Sequence, residues 1–407
     1  MARRYKVHFS NEDSYYAARA FETASSTTRV LNEQRRFIAL ELPPALQNIT
    51  EAERTLDTQI NSFAKYYGAT ITEDIQFDME ASSDIFNPLH FGPETPGQPS
   101  LDDVRAMILA EEAWAFSQGQ GITIAVVDTG INGNRPEFPS ARRVGHWEPV
   151  GDTSWTDWNG HGTMCACIAA GSTSGNGLFN GIAPDAGIIA CKTYFYATEL
   201  TAIYDYLTGL ANQGMTIIAT NSYGMQTGTP PSPPADPDFL NALMDAVAAG
   251  VHIFFSAGNY HDLAGGDPDE CNPTSIWLHK CREDVMSVAT CKLDKTMWYY
   301  SSRGPGQHFG NTGTNRKPDV TAPTPQNGRI IFGDTIRSLP DGWGTSGACP
   351  QVAGLAALLL AKKPSLTRVE LFDAIRSTAT TLGHSVDCQG AGMIDCKQAI
   401  DTVNGLV

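Results

Sequence analysis

From about residue 104 onward, short continuous apolar runs alternate with runs of helical spacing. Apolar runs without polar alternation are typical of strands buried on both faces, and strands that alternate with helices form parallel sheets covered on both sides. This part of the chain is therefore predicted to be a three-layer α/β domain, with functional groups at the carboxyl ends of its strands. The predicted strands are ITIAVVD (122–128), GIIACKTY (187–194), MTIIATNSYG (215–224) and VHIFFSAGN (251–259).

The first 80 residues follow a different pattern, in which strand-like and helix-like segments are mixed. Extended runs such as RYKVHF and ATITEDIQFDM flank a segment with apolar residues at helical spacing, from Leu56 to Tyr67. Residues 1–80 are predicted to form a small α+β unit. Residues 81–103 are rich in Pro, Gly, Ser and acidic side chains, which predicts an exposed linker before the domain at 104–407.

Charge and apolar content exclude several classes of protein. The 407 residues carry a net charge of −16, which argues against a nucleic-acid or anionic-membrane partner. No segment has the ~18 continuous apolar residues of a membrane span, and the start MARRYKVHF lacks the apolar core of a secretory signal. The nine cysteines are an odd count and are expected to be buried, inert thiols. These features predict a cytoplasmic protein.

One serine lies near the N-terminal end of a long apolar helix predicted in GTSGACPQVAGLAALLLAKKP. The commonest role for Ser346 or Thr345 in this position is that of a helix N-cap. The alternative is a nucleophile whose developing oxyanion would meet the first backbone N–H groups of the helix. That alternative requires a base and an acid elsewhere in the chain.

Polar residues that could serve as these partners follow other predicted elements. Asp128 comes directly after ITIAVV, and His161 opens the small-residue helix in NGHGTMCACIAAG. Each residue could instead have a purely structural role, in a turn or at a helix end. Together with Ser346 they supply an orienting acid, a base and a nucleophile. Asn259 follows another buried strand and is predicted to donate its amide to the oxyanion.

Two alternative sites would involve cysteine. His161, Cys165 and Cys167 form a cluster that could be read as part of a zinc site, but C-x-C beside one His lacks the usual ligand spacing. Cys349 follows Ser346 and could be mistaken for a nucleophile, although helical geometry places it about one turn into the helix. We therefore predict no metal site among these residues.

Four sequence blocks resemble the signature blocks of subtilisin-like serine proteases, the subtilases, in the order that family uses. They are VVDTGI at Asp128, NGHGT at His161, SAGN at Asn259 and GTSGACPQVAGLAALLL at Ser346. The resemblance covers residues from about 104 to the end of the chain. It implies the subtilisin-like three-layer fold and a catalytic set of Asp128, His161, Ser346 and Asn259.

The resemblance also implies where substrate binds. Ser222, Tyr223 and Gly224 resemble the edge that pairs with the substrate backbone. Ser256, Ala257 and Gly258 resemble the opposite wall of the pocket for the side chain preceding the cut. No cofactor is implied; a structural calcium ion is common in the family, but no acidic run here has spacing that names a site.

The N-terminal unit resembles the ferredoxin-like subtilase prodomain, an inhibitory chaperone, in size, position and pattern. If so, the linker after residue 80 runs through the active-site cleft and is cut there, and the protein is a zymogen whose own N-terminal domain inhibits it. Alternatively, the N-terminal unit is an accessory domain that stays attached to the mature protein. A prodomain would also favour secretion over the cytoplasmic prediction.

Three positions depart from the family pattern. Gly347 stands where the family usually has Met, Gln351 where it has His, and Met164 replaces a second His. We expect altered packing with the chemistry retained, because none of these residues relays the proton. The sequence thus predicts a serine endopeptidase that acts on protein or peptide substrates. One alternative is a catalytically silent subtilase fold that binds peptides. A nucleotide-binding protein is a third possibility, which we discount because the sequence has neither of the two glycine-rich nucleotide-binding motifs.

Overall fold

The computed structural model describes residues 4–19, 27–41, 61–79, 90–224, 236–306 and 316–405. The linker predicted at residues 81–103 is described only from residue 90, so its predicted passage through the active-site cleft at residues 81–89 lies outside the described residues. The predicted helix between Leu56 and Tyr67 is described from residue 61.

The N-terminal unit is a four-stranded antiparallel sheet with two helices. Its strand order is β2-β3-β1-β4. The apolar face of β1 meets both helices through Val7, Phe9, Tyr15 and Phe63. This confirms the predicted small α+β region, including a strand β2 that the sequence did not indicate. The elements are β1 (Arg4–Phe9), α1 (Glu12–Arg19), β2 (Thr27–Asn32), β3 (Phe37–Glu41), α2 (61–67) and β4 (Ala69–Glu73).

The larger unit contains a seven-stranded sheet in which every neighbouring pair is parallel. Its strand order is β13-β12-β11-β9-β6-β8-β7. The strand β6 is buried at every position, as its unbroken apolar sequence predicts. The strands are β6 (Thr123–Asp128), β7 (Arg143–Trp147), β8 (Gly187–Lys192), β9 (Ile217–Asn221), β11 (His252–Ser256), β12 (Met286–Cys291) and β13 (Val320–Pro323).

Helices cover both faces of this sheet and so make three layers. Ile124 and Val126 of β6 belong to one apolar core, whereas Ala125 and Val127 belong to the other. The α/β prediction is confirmed. On the first face lie α3 (Leu101–Met107), α4 (Ala110–Ala113), α5 (His161–Ala170), α8 (Gly344–Lys362), α9 (Arg368–Ser377), α10 (Val386–Gln389) and α11 (Cys396–Asn404); on the second lie α6 (Ala197–Asn212) and α7 (Pro237–Ala248).

The helix α8 is long and apolar enough, by length and composition, to cross a membrane. In this fold 94% of that apolar window is buried inside the protein, against β9, β11, β12 and α5. Its apolar character is therefore explained by its place in the core.

The segment before α3 lies against a hairpin formed by β14 (Gly328–Phe332) and β15 (Thr335–Leu339). Gly92 exchanges two backbone hydrogen bonds with Ser338, of 3.0 and 3.1 Å. A capping box at Ser100 starts α3 at Leu101, inside the segment expected to be linker.

Cysteine chemistry differs in one respect from the expectation. Seven cysteines are free and buried, as predicted for inert thiols. Cys271 and Cys388 form a disulfide across 117 residues of sequence, which the spacing of the cysteines did not indicate.

Candidate active site

Asp128 and His161 lie together beneath the carboxyl end of the parallel sheet. Asp128 ends β6, and its Oδ1 lies 2.8 Å from Nδ1 of His161, the first residue of α5. Both side chains are buried. Glycine permits this approach, because a Cβ at Gly162 would lie 2.1 Å from the carbonyl oxygen of Gly130.

The loop before α5 is held by side chains that the sequence analysis did not single out. Asp157 accepts hydrogen bonds from the backbone N–H groups of Asn159, Gly160 and Thr163. Thr129 Oγ1 accepts from the Gly162 N–H at 2.8 Å and donates to Asp157 at 2.8 Å. A carboxylate upstream of a helix start is the signal that could have identified Asp157.

Ser346 lies in the first turn of α8, but it does not cap that helix. The N-cap residue is Trp343, and no side chain makes a cap hydrogen bond there. Ser346 is fully buried, and its Oγ makes no hydrogen bond to any residue in the part of the chain that the structure describes. The N-cap interpretation of Ser346 or Thr345 is therefore wrong.

A cysteine of α5 compensates for a proline in α8. Pro350 has no N–H and cannot donate to the carbonyl of Ser346, one helical turn earlier. The thiol of Cys165 lies 3.5 Å from that carbonyl oxygen and takes the place of the missing donor. The same sulfur lies 3.8 Å from His161 Nδ1. The nucleophile candidate and the base candidate are thus brought to one small volume.

Asn259 lies on the other side of the α8 start. Its Oδ1 accepts from both the backbone N–H and the Oγ1 of Thr345, each at 2.9 Å. Because the Thr345 N–H can only donate, the atom facing it must be the amide oxygen. The amide nitrogen of Asn259 therefore points away from Thr345, in the orientation that donation to an oxyanion requires.

The two segments predicted to bind substrate flank this site. Tyr223–Gly224 forms a short strand, β10, which pairs with β5 (Asp78–Met79) of the N-terminal unit. Gly258 has a φ of 120°, and its N–H lies 3.3 Å from Thr345 Oγ1. Ser256 Oγ donates to the Asn221 carbonyl at 3.2 Å and so links the two segments.

The departures from the family pattern are accommodated by packing. A Cβ at Gly347 would lie 2.4 Å from the Cβ of Trp343, so a larger residue there would displace the tryptophan. Gln351 donates its amide to the carbonyls of Pro323 and Gly347 at 2.7 and 2.9 Å. Met164 is buried in the apolar core.

The cysteine alternatives gain no support from the electrostatics. Burial raises the pKa of Cys349 to about 11, and its sulfur lies 3.4 Å from Thr220 Oγ1, beneath the site. Burial likewise raises the pKa of Cys165 and Cys167 above that of a free thiol. A thiolate, the reactive form of a cysteine nucleophile, is therefore disfavoured at all three.

The arrangement suits acyl transfer. A carboxylate that accepts the Nδ1–H of an imidazole leaves Nε2 as the proton acceptor and stabilises the imidazolium that forms. A serine at the start of a helix has backbone N–H groups beside it for an oxyanion. Hydrogen bonds between such a serine and its base are often long in the absence of substrate and tighten when substrate binds.

Comparison with known proteins assigns the chain. Residues 119–392 match the sequence model of the peptidase S8 group, the Subtilase family. Subtilisin BL from Lederbergia lenta is 31% identical over 284 residues, which cover 69% of this chain and 91% of that protein. Thermitase from Thermoactinomyces vulgaris is 28% identical over 300 residues, covering 72% and 93%.

Solved structures agree on the fold. The crystal structure of MycP1 from Mycobacterium smegmatis matches with a TM-score of 0.57 and 21% identity, over 76% of this chain and 88% of that one. A crystal structure of MycP1 with its N-terminal propeptide removed also gives a TM-score of 0.57, at 24% identity over 73% and 97%. Together with the family match, this establishes that the chain belongs to the subtilase family and is a subtilisin-like serine endopeptidase.

Proposed function

We propose that Ser346 is the nucleophile, His161 the general base, Asp128 its orienting acid and Asn259 an oxyanion donor. The observation that carries this assignment is the 2.8 Å contact between His161 Nδ1 and Asp128, directly beside the start of α8. Ser346 Oγ attacks the peptide carbonyl carbon while its proton passes to His161. His161 then protonates the leaving amine, and water hydrolyses the acyl-enzyme by the reverse sequence of proton transfers.

Asn259→Ala is expected to lower kcat by about 10²- to 10³-fold with a small change in KM, because Asn259 would donate its hydrogen bond to the oxyanion only in the transition state. Steady-state kinetics on a peptide substrate measure this effect. Asn212→Ala, at the exposed end of α6, serves as the matched control. An unchanged kcat in Asn259→Ala would remove Asn259 from the catalytic set.

The N-terminal unit is proposed to act as an intramolecular inhibitor. Residues 75–79 insert as an extended segment between two parts of the larger unit. On one side the Phe77 N–H donates to the Phe195 carbonyl at 2.8 Å, and on the other β5 pairs with β10. The four candidate catalytic side chains are buried in this intact chain. Strand addition of this kind is how extended peptides bind at a sheet edge.

Ion pairs support the docking of the N-terminal sheet on α6 and α7. Arg4 forms an ion pair with Glu199, and both side chains are buried. Lys6 Nζ lies 3.1 Å from Asp236 at the start of α7. Removing one partner of a buried pair leaves an uncompensated charge, so these contacts favour one docked arrangement.

Asp74 adds a helix cap that crosses between the units. Its Oδ1 accepts from the Thr198 N–H at 3.1 Å, in the first turn of α6, where the N-cap residue Tyr196 supplies no side-chain hydrogen bond. Burial raises the pKa of Asp74 to about 7, although the bonds from Thr198 oppose this change. The N-terminal unit thus completes the end of a helix beside the cleft.

Intact mass of the wild-type chain and of Ser346→Ala after incubation tests the zymogen proposal. We expect a cut between about residues 78 and 104 in the wild type and none in the variant. A wild-type chain that stays whole, and that also fails to hydrolyse added peptides, would instead support the silent peptide-binding fold. A wild-type chain that stays whole while it hydrolyses peptides would make the N-terminal unit a permanent domain.

Arg35→Glu is expected to release the cut N-terminal unit at least about 10-fold faster, because it replaces attraction by repulsion at two carboxylates. Arg35 Nη2 lies 2.8 Å from Asp205 and 2.6 Å from Asp245, both in the larger unit. The matched control is Arg19→Glu, since Arg19 is half-exposed and contacts only Glu33 of its own unit among the ion pairs described. The lag before peptide hydrolysis measures release; equal lags in the two variants would contradict the prediction.

A further inference from the structure

A small pocket joins the two segments predicted to bind substrate. Gly224 of one segment and Ala257 of the other line it, together with Tyr260, Trp277 and Lys280. In this intact chain its cavity volume is about 10 Å³, the space of about one water molecule, so a substrate side chain enters only if the lining moves. Tyr260 and Trp277 stack with nearly parallel rings whose centroids are 6.2 Å apart. Among the described residues that line the pocket, none is acidic.

Lys280 brings an amino group to this pocket, and a carboxylate beside it would favour the charged form. It lies in a short 3₁₀ turn, Leu278–Cys281, and only 3% of the residue is exposed. Its backbone is fixed by the Ser287 hydroxyl, which donates to its carbonyl, and its Nζ lies 6.0 Å from the centroid of the Tyr260 ring. Burial lowers the pKa of Lys280 to about 7, because the ammonium has lost most of its water. A carboxylate entering the pocket would compensate for that loss.

The backbone pairing indicates which substrate residue lies beside the nucleophile. In the antiparallel register of β5 and β10, Asp78 faces Gly224 and Met79 faces Tyr223. A substrate in this register presents its next residue at Ser222. Ser222 Oγ lies 3.9 Å from the Cys165 sulfur, which also contacts the Ser346 carbonyl. The substrate residue opposite Ser222 is therefore the one beside the nucleophile.

We propose that this pocket selects an acidic side chain, glutamate above all, in the residue that precedes the cut bond, and that Lys280 determines this specificity. The chain itself offers such a residue, because Glu80 follows Met79 in the sequence and Ala81 follows Glu80. The zymogen would then cut its own Glu80–Ala81 bond. This inference rests on the proposed function, since it names the substrate class of the same site. Lys280 is a specificity residue and takes no part in the bond-breaking steps.

The test compares three peptides that differ only in the residue before the cut, Glu, Gln or Leu, as substrates of the self-processed protein. We expect kcat/KM for the Glu peptide to exceed that for the Gln peptide by about 10- to 100-fold, as for one charge-assisted contact out of water. Lys280→Met should bring that ratio close to one while the Gln and Leu peptides are still cut. Lys363→Met, at an exposed position after α8, is the matched control and should keep the wild-type ratio.

The outcomes separate the two proposals. Preference of the wild type for the Leu peptide, or an unchanged Glu-to-Gln ratio in Lys280→Met, would overturn the acidic specificity and leave the protease assignment intact. Failure to cut any of the three peptides would count against the proposed function itself. If Lys280→Met does not fold, Glu80→Gln in the otherwise unaltered chain gives the answer: self-cleavage after residue 80 slowed about 10-fold or more supports the inference, and an unchanged rate overturns it.

Discussion

Ser346→Ala is expected to lower kcat for peptide hydrolysis by about 10⁶-fold, which is the loss seen when such a triad loses its nucleophile. The substitution removes the atom that would form the acyl-enzyme, and Asn259 with the first-turn N–H groups can then supply only residual electrostatic stabilisation. Peptide binding should be nearly unchanged, because strand pairing at Tyr223–Gly224 does not use the Ser346 hydroxyl.

The measurement needs both proteins in the same cleaved state, since Ser346→Ala cannot process itself. A trace of wild-type enzyme can cut the linker of the variant in trans and then be removed before kinetics. Ser174→Ala, at an exposed loop position, is the control and should retain full activity. Hydrolysis by purified Ser346→Ala above about 1% of the wild-type rate would contradict the nucleophile assignment, given the size of the expected loss.

Thermal unfolding of the same variant separates catalysis from folding. Ser346 Oγ is buried and makes no hydrogen bond to the residues that the structure describes, so its removal breaks no contact among them. A buried hydroxyl without a partner costs stability, and its loss is close to neutral or stabilising. We therefore expect a Tm equal to that of the wild type or higher. A large fall in Tm would show that Ser346 supports the fold.

Asp128→Asn is expected to lower kcat by about 10⁴-fold, although the side chain keeps its size. Asp128 Oδ1 lies 2.8 Å from His161 Nδ1, and in the proposed mechanism this contact holds the tautomer in which Nε2 accepts a proton. The amide of an asparagine can donate to Nδ1 instead, which places the ring proton on Nε2 and blocks acceptance of the serine proton. Single-turnover and steady-state kinetics on one peptide measure this loss.

Asp185→Asn is the matched control for Asp128→Asn. Asp185 is exposed and accepts a hydrogen bond from Gln120 at 3.0 Å, away from the site. Its kcat should equal that of the wild type. A loss of less than about 10-fold in Asp128→Asn would mean that the His161 tautomer is set by another group, since orientation by Asp128 is the reason for the large effect.

The sequence was most informative where chemistry and local structure coincide. Asp128 and Asn259 each follow an unbroken apolar run, and such runs can be read without knowledge of their neighbours. Parallel strands bring their carboxyl ends to one edge, so the meeting of the predicted side chains follows from the fold class. The family assignment confirms the prediction of a subtilisin-like serine endopeptidase.

Other features depend on contacts between distant parts of the chain. Nothing in the sequence near Met79 shows that it pairs with Tyr223, and the Cys271–Cys388 disulfide joins residues that no spacing rule connects. The N-cap interpretation of Ser346 was wrong because α8 already begins at Gly344, so that Ser346 lies inside the first turn and Trp343 occupies the N-cap position. The sequence did not indicate that Lys280 lies buried in a pocket, because a lysine in a loop is usually exposed.

Ser346 is proposed to be the activated nucleophile of this subtilase. Its most direct test is reaction of the self-processed wild type and of trans-cleaved Ser346→Ala with a fluorophosphonate, followed by mass spectrometry of the digested proteins. We expect one phosphonate adduct in the wild type, on Ser346, with complete loss of hydrolysis, and no adduct in the variant. An adduct on another residue that abolishes hydrolysis, or full hydrolysis by a wild-type protein whose Ser346 is labelled, would contradict the assignment of Ser346 as the nucleophile.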